Sequence, residues 1–433
     1  MTRIARFNPR YRAFSHLAAN ALKDADVLQR ELEAGKPRRL LHALAVSVKG
    51  NIPVAGMPWT EGSAMYATRI ATRDAEIVAR ARAAGGVVVG TTTLSELAMY
   101  GVENPFEPMG LNPWAVERTA GGSSTGAGVA AALRLAQVNI GTDSGGSIRN
   151  PACHCGVVGF MPRIGALPLE GVPNHTPSLS SLGLVALSVV DAAQAYDALA
   201  GPSPAAATAP ALARRLLVPR ELVGRMCDDE TQALFGAALE RLAVAGFGLV
   251  DAAIAGWIEG ERGAGSISLH ESGRALSRMD LSHASEGLRA RAAAAARLGA
   301  AEIDEARSAC ATLRENVAAG LRAAGADAVV TPTWPFPAPG IRQQTAMVRG
   351  VAQPIDPHRN CFVRAANAMD GCAITVPMGL YAAGVPAGLH LLSEGGTEHR
   401  LLAVARLIEE ALPRPPPPPP LRAYNPAKGD PPR

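Results

Sequence analysis

The sequence is poor in aromatic residues: phenylalanine, tryptophan and tyrosine make up 4% of its 433 residues, although hydrophobic residues make up 48%. Alanine, valine and leucine must therefore fill the core. It also lacks an excess of charge of either sign. With 42 basic against 38 acidic residues the net charge is +4, too even a balance for a nucleic-acid surface. No run of ~18 uncharged apolar residues occurs, so no membrane-spanning helix is expected. Met1 to His16 is basic and polar, without the apolar segment of a signal peptide. Cysteines at positions 153, 155, 227, 310, 361 and 372 lack the density of a small secreted disulfide scaffold. They read as reduced thiols of a cytoplasmic protein. Lysine is rarer still, at Lys23, Lys36, Lys49 and Lys428. With 18% charged residues, the chain reads as globular, long enough for one large or two ordinary domains.

What the chain does have is a glycine- and serine-rich stretch from Gly121 to Arg149 (GGSSTGAGVAAALRLAQVNIGTDSGGSIR). Two glycine-flanked serines, Ser123 and Ser147, bracket a small-residue, helix-favouring middle from Ala127 to Ala136. The layout reads as loop, helix, strand, loop. Glycine neighbours let a serine approach another backbone or a substrate closely. In Gly141-Thr-Asp-Ser-Gly-Gly-Ser147, the amides of Ser144, Gly145, Gly146 and Ser147 can all turn inward as donors suited to an oxyanion. A serine hydroxyl beside such a cluster is placed for acyl transfer, but it needs a base. The nearest histidine, His154, sits in a crowded Cys153-His154-Cys155 run. The other basic option is Lys49, which ends an apolar run from Leu44 that reads as a buried strand. Burial disfavours a charged amine and lowers its pKa, so Lys49 can hold a lone pair near neutral pH. Lys49, Ser123 and Ser147 can then form one proton relay.

These residues resemble the amidase signature family, whose members use a Ser–cisSer–Lys triad. The resemblance runs almost continuously from Leu41 to Ala193 and resumes from Ala328 to Leu412. It is carried by Val48-Lys49 followed by Asn51-Ile52 and Gly56, by Gly90 to Ala98 (GTTTLSELA), by Gly121 to Gly126 and by Gly141 to Arg149. The spacing is 74 residues from Lys49 to Ser123 and 24 from Ser123 to Ser147. The resemblance implies that Ser147 attacks an amide carbonyl. Ser123, joined to Gly122 by a cis peptide bond, would shuttle its proton, and Lys49 would be the neutral base. Asp143 and Arg149 look like the family's supporting polar pair, with Ser124 in the same network. The chain departs from the pattern at Gly50, usually acidic, at Met161, usually lysine, and at Ser181 to Leu187, which replaces a TxGPxAR stretch. No cofactor or metal is implied.

Alternating strand and helix patterns predict an α/β fold: a single large domain whose mixed, twisted central β-sheet is covered by helices on both faces. The signature domain would span residues 1–412, with its core at 41–193 and 328–412 and a helical region at about 211–327. Arg12 to Glu33 has helical spacing, and Leu40 to Val48 reads as the first buried strand. Asp74 to Ala84 is an amphipathic helix, and Gly85 to Gly90 a helix stop and short strand. Later strands are expected at Ala328–Thr333, Ala373–Pro377 and Gly384–Leu392, and helices at Cys361–Ala368 and Glu398–Leu412. Pro202 to Pro210 reads as a small-residue linker. Thr231–Ala245 and Gly287–Leu321 read as helices that wall the substrate entrance. His270-Glu271-Ser272, between them, is expected on an exposed loop. Residues 413–433, with six prolines from Pro415 to Pro420, are expected to be a disordered tail.

Gly122 to Gly126 also fits G-x-S-x-G, the nucleophile elbow of α/β-hydrolases, with Ser124 as nucleophile. That reading needs a preceding strand, whereas Asn112 to Ala120 looks like loop. No Gly-Lys-Ser/Thr follows, which argues against a phosphate-binding loop. Cys153, His154 and Cys155 suggest a metal, but a second ligand pair is missing and buried thiols are favoured. The reading that results is an amidase, a hydrolase of linear carbon–nitrogen amide bonds that converts a small-molecule amide to carboxylate plus ammonia or amine. Trp59, Leu97, Met99 and Trp114, near the triad in sequence, are expected to wall a pocket for a modest apolar or aryl amide. The expected partner is that small molecule, with no nucleic acid or membrane; a homodimer stays open. Two other classes also stay open: one component of a tRNA-dependent amidotransferase complex, its A chain, and a non-catalytic binding protein on the same fold.

Overall fold

Valine-rich runs free of charge form strands buried on both faces, which is how a sheet sandwiched between helix layers must read. Val87–Thr92 (VVVGTT) and Ser181–Ala186 (SLGLVA) are buried at every position. The computed structural model describes residues 1–38, 40–99, 104–201 and 212–424; the expected linker at Pro202–Pro210 lies outside them.

The strands are β1 (Phe14–Leu17), β2 (Ala45–Lys49), β3 (Val87–Thr92), β4 (Val138–Asp143), β5 (Val158–Met161), β6 (Ser181–Ala186) and β7 (Arg215–Val218). They continue as β8 (Gly248–Asp251), β9 (Ala328–Pro332), β10 (Thr345–Val348), β11 (Val351–Pro354), β12 (Cys372–Leu380) and β13 (Pro386–Ser393). Eleven of them form one sheet in the order β1-β3-β2-β4-β6-β5-β12-β13-β9-β7-β8, while β10 and β11 pair separately. The sheet is mixed. Parallel pairs (β3/β2/β4 and β9/β7/β8) flank an antiparallel centre from β4 through β6, β5, β12 and β13 to β9. Helices Thr125–Ala132 and Arg149–Cys155 cover one face, and Glu76–Ala83, Val189–Ala200 and Glu398–Ala411 the other. No described helix is long and apolar enough to cross a membrane.

The Thr125–Ala132 helix (TGAGVAAA) is buried at all eight positions. Its small residues are required by packing: a Cβ on Gly126 would stand 2.6 Å from the Thr93 amide nitrogen. The helix therefore sits close on the sheet and presents its own start, at Ser123 and Ser124, to the strand ends.

Several segments differ from the sequence expectation. Arg12–Glu33 is not one helix. Arg12 adopts a left-handed conformation (φ 52°) that ends the Thr2–Tyr11 helix. Phe14 then pairs with Thr92 as an edge strand before the Ala21–Glu33 helix begins. His270, Glu271 and Ser272 are not on an exposed loop but inside the Trp257–Leu276 helix, with Ser272 buried. The proline-rich segment 413–424 is not disordered, and residues 425–433 of the expected tail lie outside the described residues. Pro419–Arg422 forms a helical turn, Tyr424 packs edge-on against Phe7 at 5.6 Å, and Arg6 stacks over the Tyr424 ring at 5.2 Å. Polyproline cannot build a core, but one aromatic anchor beyond it suffices to dock the segment on the first helix.

Candidate active site

Lys49 is the last residue of β2, in a sheet position with no exposed surface. Its Nζ donates to Ser123 Oγ at 2.7 Å, to Thr142 Oγ1 at 2.8 Å and to the Thr142 carbonyl at 3.3 Å. All these partners are neutral. Burial, opposed only by the nearby Asp143 charge, lowers the Lys49 pKa to about 7. The position after it has no space for an acidic side chain: a Cβ on Gly50 would stand 2.9 Å from Leu94 Cδ2 and 3.1 Å from the Thr92 carbonyl.

The second buried cation is treated in the opposite way. Arg149 forms a fork with Asp143, Nη2 to Oδ1 at 2.9 Å and Nε to Oδ2 at 3.1 Å, both side chains being fully buried. Arg149 also donates to Asn367 Oδ1 at 2.7 Å and to the Val363 carbonyl, and meets His390 Nε2 at 3.1 Å. Burial works to raise the Asp143 pKa, but the Arg149 charge and hydrogen bonds, with the amides of Ile148 and Gly146, outweigh it and hold the carboxyl well below its usual range. Burial first, then Arg149, depresses the His390 pKa, leaving a neutral ring.

Asp143 also shapes the loop that carries Ser147. Oδ1 accepts from the amides of Gly145 (3.1 Å) and Gly146 (2.7 Å), and Oδ2 from that of Ile148 (2.9 Å). Of the four amides expected to face an oxyanion, those of Gly145 and Gly146 are therefore directed to Asp143. Ser147 is 7% exposed and borders a cavity, whereas Ser123 and Ser124 are buried. The Gly122–Ser123 peptide bond is cis. Ser124 donates its hydroxyl to the Thr142 carbonyl at 3.2 Å and its amide to the Ser147 carbonyl at 3.1 Å. Its hydroxyl is thus committed to backbone, which suits a brace between the two serine loops and does not suit the elbow nucleophile.

The cavity beside Ser147 measures about 120 Å³. Leu97 and Met99 border it. Trp59 and Trp114 do not. Trp59 stacks under Arg69 at 3.7 Å and gives its indole N–H to the Asn51 carbonyl, while Trp114 gives its own to the Cys155 carbonyl and packs beside Pro415–Pro418 of the tail. Proximity in sequence suggested that they lie near the triad, but Trp114 is drawn to the last residue of the Arg149–Cys155 helix, whose carbonyl holds its indole. Residues that the sequence reading missed border the cavity too: Asn51, Thr142, Ser272, Arg291, Asn360 and Arg364. Thr142 was within reach of inference, lying one residue before Asp143; Arg291 and Arg364 carry no local signal and are brought in by long-range packing.

All six cysteines are unpaired and buried. Burial pushes the Cys153 thiol up to about 12 and the His154 ring down to about 3. His154 meets Trp334 edge-on at 4.6 Å, and neither ring nitrogen has a hydrogen-bond partner among the described residues. These are the properties of packed core groups. Among the described residues no group of His, Cys, Asp and Glu could hold a metal ion.

The amidase family model matches residues 1–402. The A chain of a glutamyl-tRNA(Gln) amidotransferase from a Cyanothece species is 36% identical over 206 residues, 47% of this chain and 43% of that protein. The chain spans about half the length of the curated relatives it matches. Among solved structures, an amidase aligns over 95% of this chain and 94% of its own with a TM-score of 0.88 and 28% identity. The native peptide amidase from Stenotrophomonas maltophilia aligns over 96% and 93% with a TM-score of 0.77 and 29% identity.

Proposed function

Because the chain belongs to the amidase family, we propose that it hydrolyses the carbon–nitrogen bond of a small-molecule amide, with Ser147 as nucleophile, Ser123 as proton shuttle and Lys49 as base. The observation that carries this reading is the fully buried Lys49 amine, 2.7 Å from Ser123 Oγ, whose pKa burial lowers to about 7 with no carboxylate among its direct partners to restore it. A salt-bridged lysine would stay protonated and could accept nothing.

In the reaction, Ser147 Oγ attacks the amide carbonyl while its proton passes to Ser123 and the Ser123 proton to Lys49 Nζ. The tetrahedral oxyanion needs preorganised donors. With Gly145 and Gly146 held by Asp143 Oδ1, the amides of Ser144 and Ser147 are the pair assigned to it. Collapse expels the amine, which takes the relayed proton from Ser123 as Lys49 returns its own. Water then attacks the acyl-enzyme through the same relay, releasing the acid and restoring Ser147. Asp143 and Arg149 touch none of the reacting atoms in this scheme; they hold the Ser147 loop.

The curated relatives favour a second reading, in which this chain is one component of a tRNA-dependent amidotransferase and acts with partner chains. Co-purifying partner proteins and activity on glutamine would support it. The proposal itself is tested by intact-mass spectrometry after fluorophosphonate treatment. One adduct on the wild type that is absent from Ser147→Ala is expected. An adduct that persists and maps to Ser124, or no adduct on either protein, would overturn the assignment.

A further inference from the structure

The border of the catalytic cavity carries charge of one sign. Arg291, Arg359 and Arg364 all border it, and among the described residues no aspartate or glutamate does. Two of these cations have acidic partners: Arg364 pairs with Glu261 at 2.7 Å, and Arg359 with Asp356 at 2.5 Å. Arg291 is held differently. From the Glu286–Ala295 helix it donates Nε to Ser272 Oγ at 2.9 Å, and Nη2 to Ser268 Oγ at 3.2 Å and to the Ser268 carbonyl at 3.4 Å. Its side-chain partners among the described residues are two hydroxyls and a carbonyl, with no carboxylate.

Holding a guanidinium in this way costs free energy. Taking a guanidinium out of water is unfavourable unless an anion pairs with it. Burial, then the neighbouring charges of Arg364 and Arg359, lowers the Arg291 pKa to about 10, which still leaves it cationic at neutral pH. The two serines fix its plane, and a fixed guanidinium plane matches a carboxylate through parallel hydrogen bonds. The positive wall also reaches the nucleophile loop: a Cβ on Gly145 would lie 3.3 Å from Arg364 Nε. An anionic substrate group would find an oriented, partly desolvated cation inside the same small cavity that Ser147 borders.

We infer that the cavity selects amides that carry a carboxylate and that Arg291 is the residue that binds it. The inference rests on the assignment of Ser147 as the nucleophile, and it replaces the apolar or aryl amide expected from sequence. Leu97 and Met99 then contact the short carbon chain between the amide and the acid.

The test measures how well paired compounds slow fluorophosphonate labelling of Ser147, and how fast each is hydrolysed. Mono-amides of short dicarboxylic acids place the carboxylate on the acyl side, and N-acyl amino acids place it on the amine side; each is compared with its methyl ester. In the wild type one acid series is expected to protect Ser147 at concentrations at least about tenfold below its ester, the scale of one hydrogen-bonded charge pair. The series that shows the preference identifies the side. Arg291→Met is expected to erase the preference through KM, and Arg291→Lys to keep part of it, with thermal unfolding showing both variants folded. Equal protection by acid and ester in the wild type, or a preference that survives in Arg291→Met, would overturn the inference. Absence of Ser147 labelling in the wild type would instead overturn the nucleophile assignment on which it rests.

Discussion

The layer next to the Ser147 loop, called the floor below, and the wall that borders the cavity handle charge in different ways. On the floor, Arg149 is neutralised by Asp143 and tied further to Asn367 and Val363, so the Ser147 loop is held from beneath by a closed network. Lys49, on the same floor, is bonded only to neutral groups, and burial lowers its pKa to about 7. In the wall, Arg291 has hydroxyl partners, no carboxylate among the described residues, and a charge that faces the cavity. In the proposed scheme a buried cation with an anion serves as scaffold, a buried amine of lowered pKa as base, and a half-buried guanidinium that stays charged without an anion as receptor. The scheme gives reaction to the floor and selection to the wall.

The sharpest way to break this division is Ser147→Ala, which should remove turnover by a factor on the order of 10⁴ or more while leaving the melting temperature near that of the wild type. Lys49→Met should cost about 10²–10⁴-fold in turnover, the usual contribution of a positioned base. It should also stabilise the fold at neutral pH and below. The sign follows from linkage: the folded pKa lies near 7 and the unfolded one near ~10.4, so the unfolded chain binds the extra proton between them. The penalty for burying Lys49 is full below pH 7 and fades as pH rises toward that unfolded value. The stability gain of Lys49→Met, read by urea unfolding, should therefore shrink over the same window. A constant gain would mean that Lys49 is not desolvated as described.

Arg149→Leu addresses the scaffold cation. Leaving Asp143 buried without its partner should lower stability by about 3–5 kcal/mol in urea unfolding, with activity lost only in step with the folded fraction at moderate temperature. Should activity vanish in a fully folded variant, Arg149 would belong with the reacting groups and the division would fail. The smallest effect is expected far from either region: Tyr424→Ala should cost about 0.5–1.5 kcal/mol by removing the ring pair with Phe7. Its turnover should match the wild type.

The burial of Lys49 against Ser123 and the position of Ser147 at the cavity were legible in the sequence because close approach demands glycine around each serine and because a lysine ending a valine-rich strand has little alternative to burial. The mixed sheet was legible for the same reason, its central strands being charge-free. The edge strand Phe14–Leu17 was not, since four residues between two helices, running from buried Phe14 to exposed Leu17, give no period of their own. The wall was legible only as a helix: Gly287–Leu321 was expected to line the substrate entrance, and Arg291 lies in it, but which side chain turns inward was not. Arg291 sits in an alanine- and arginine-rich helix where every arginine looks solvent-facing, and only the packing of Ser268 and Ser272 against it turns one inward. Trp114 misled for the converse reason: it is near Ser123 in sequence but its indole is spent on the Cys155 carbonyl behind the site.

The most direct test of the floor is the rate of fluorophosphonate labelling of Ser147 against pH, in the wild type and in Lys49→Met. A neutral Lys49 acting as base predicts a rate that rises with pH through a single ionisation near 7 and then levels, and a slow rate without that inflection in Lys49→Met. A wild-type profile flat across this range, or an inflection near 7 that persists in Lys49→Met, would contradict the assignment of Lys49 as the base.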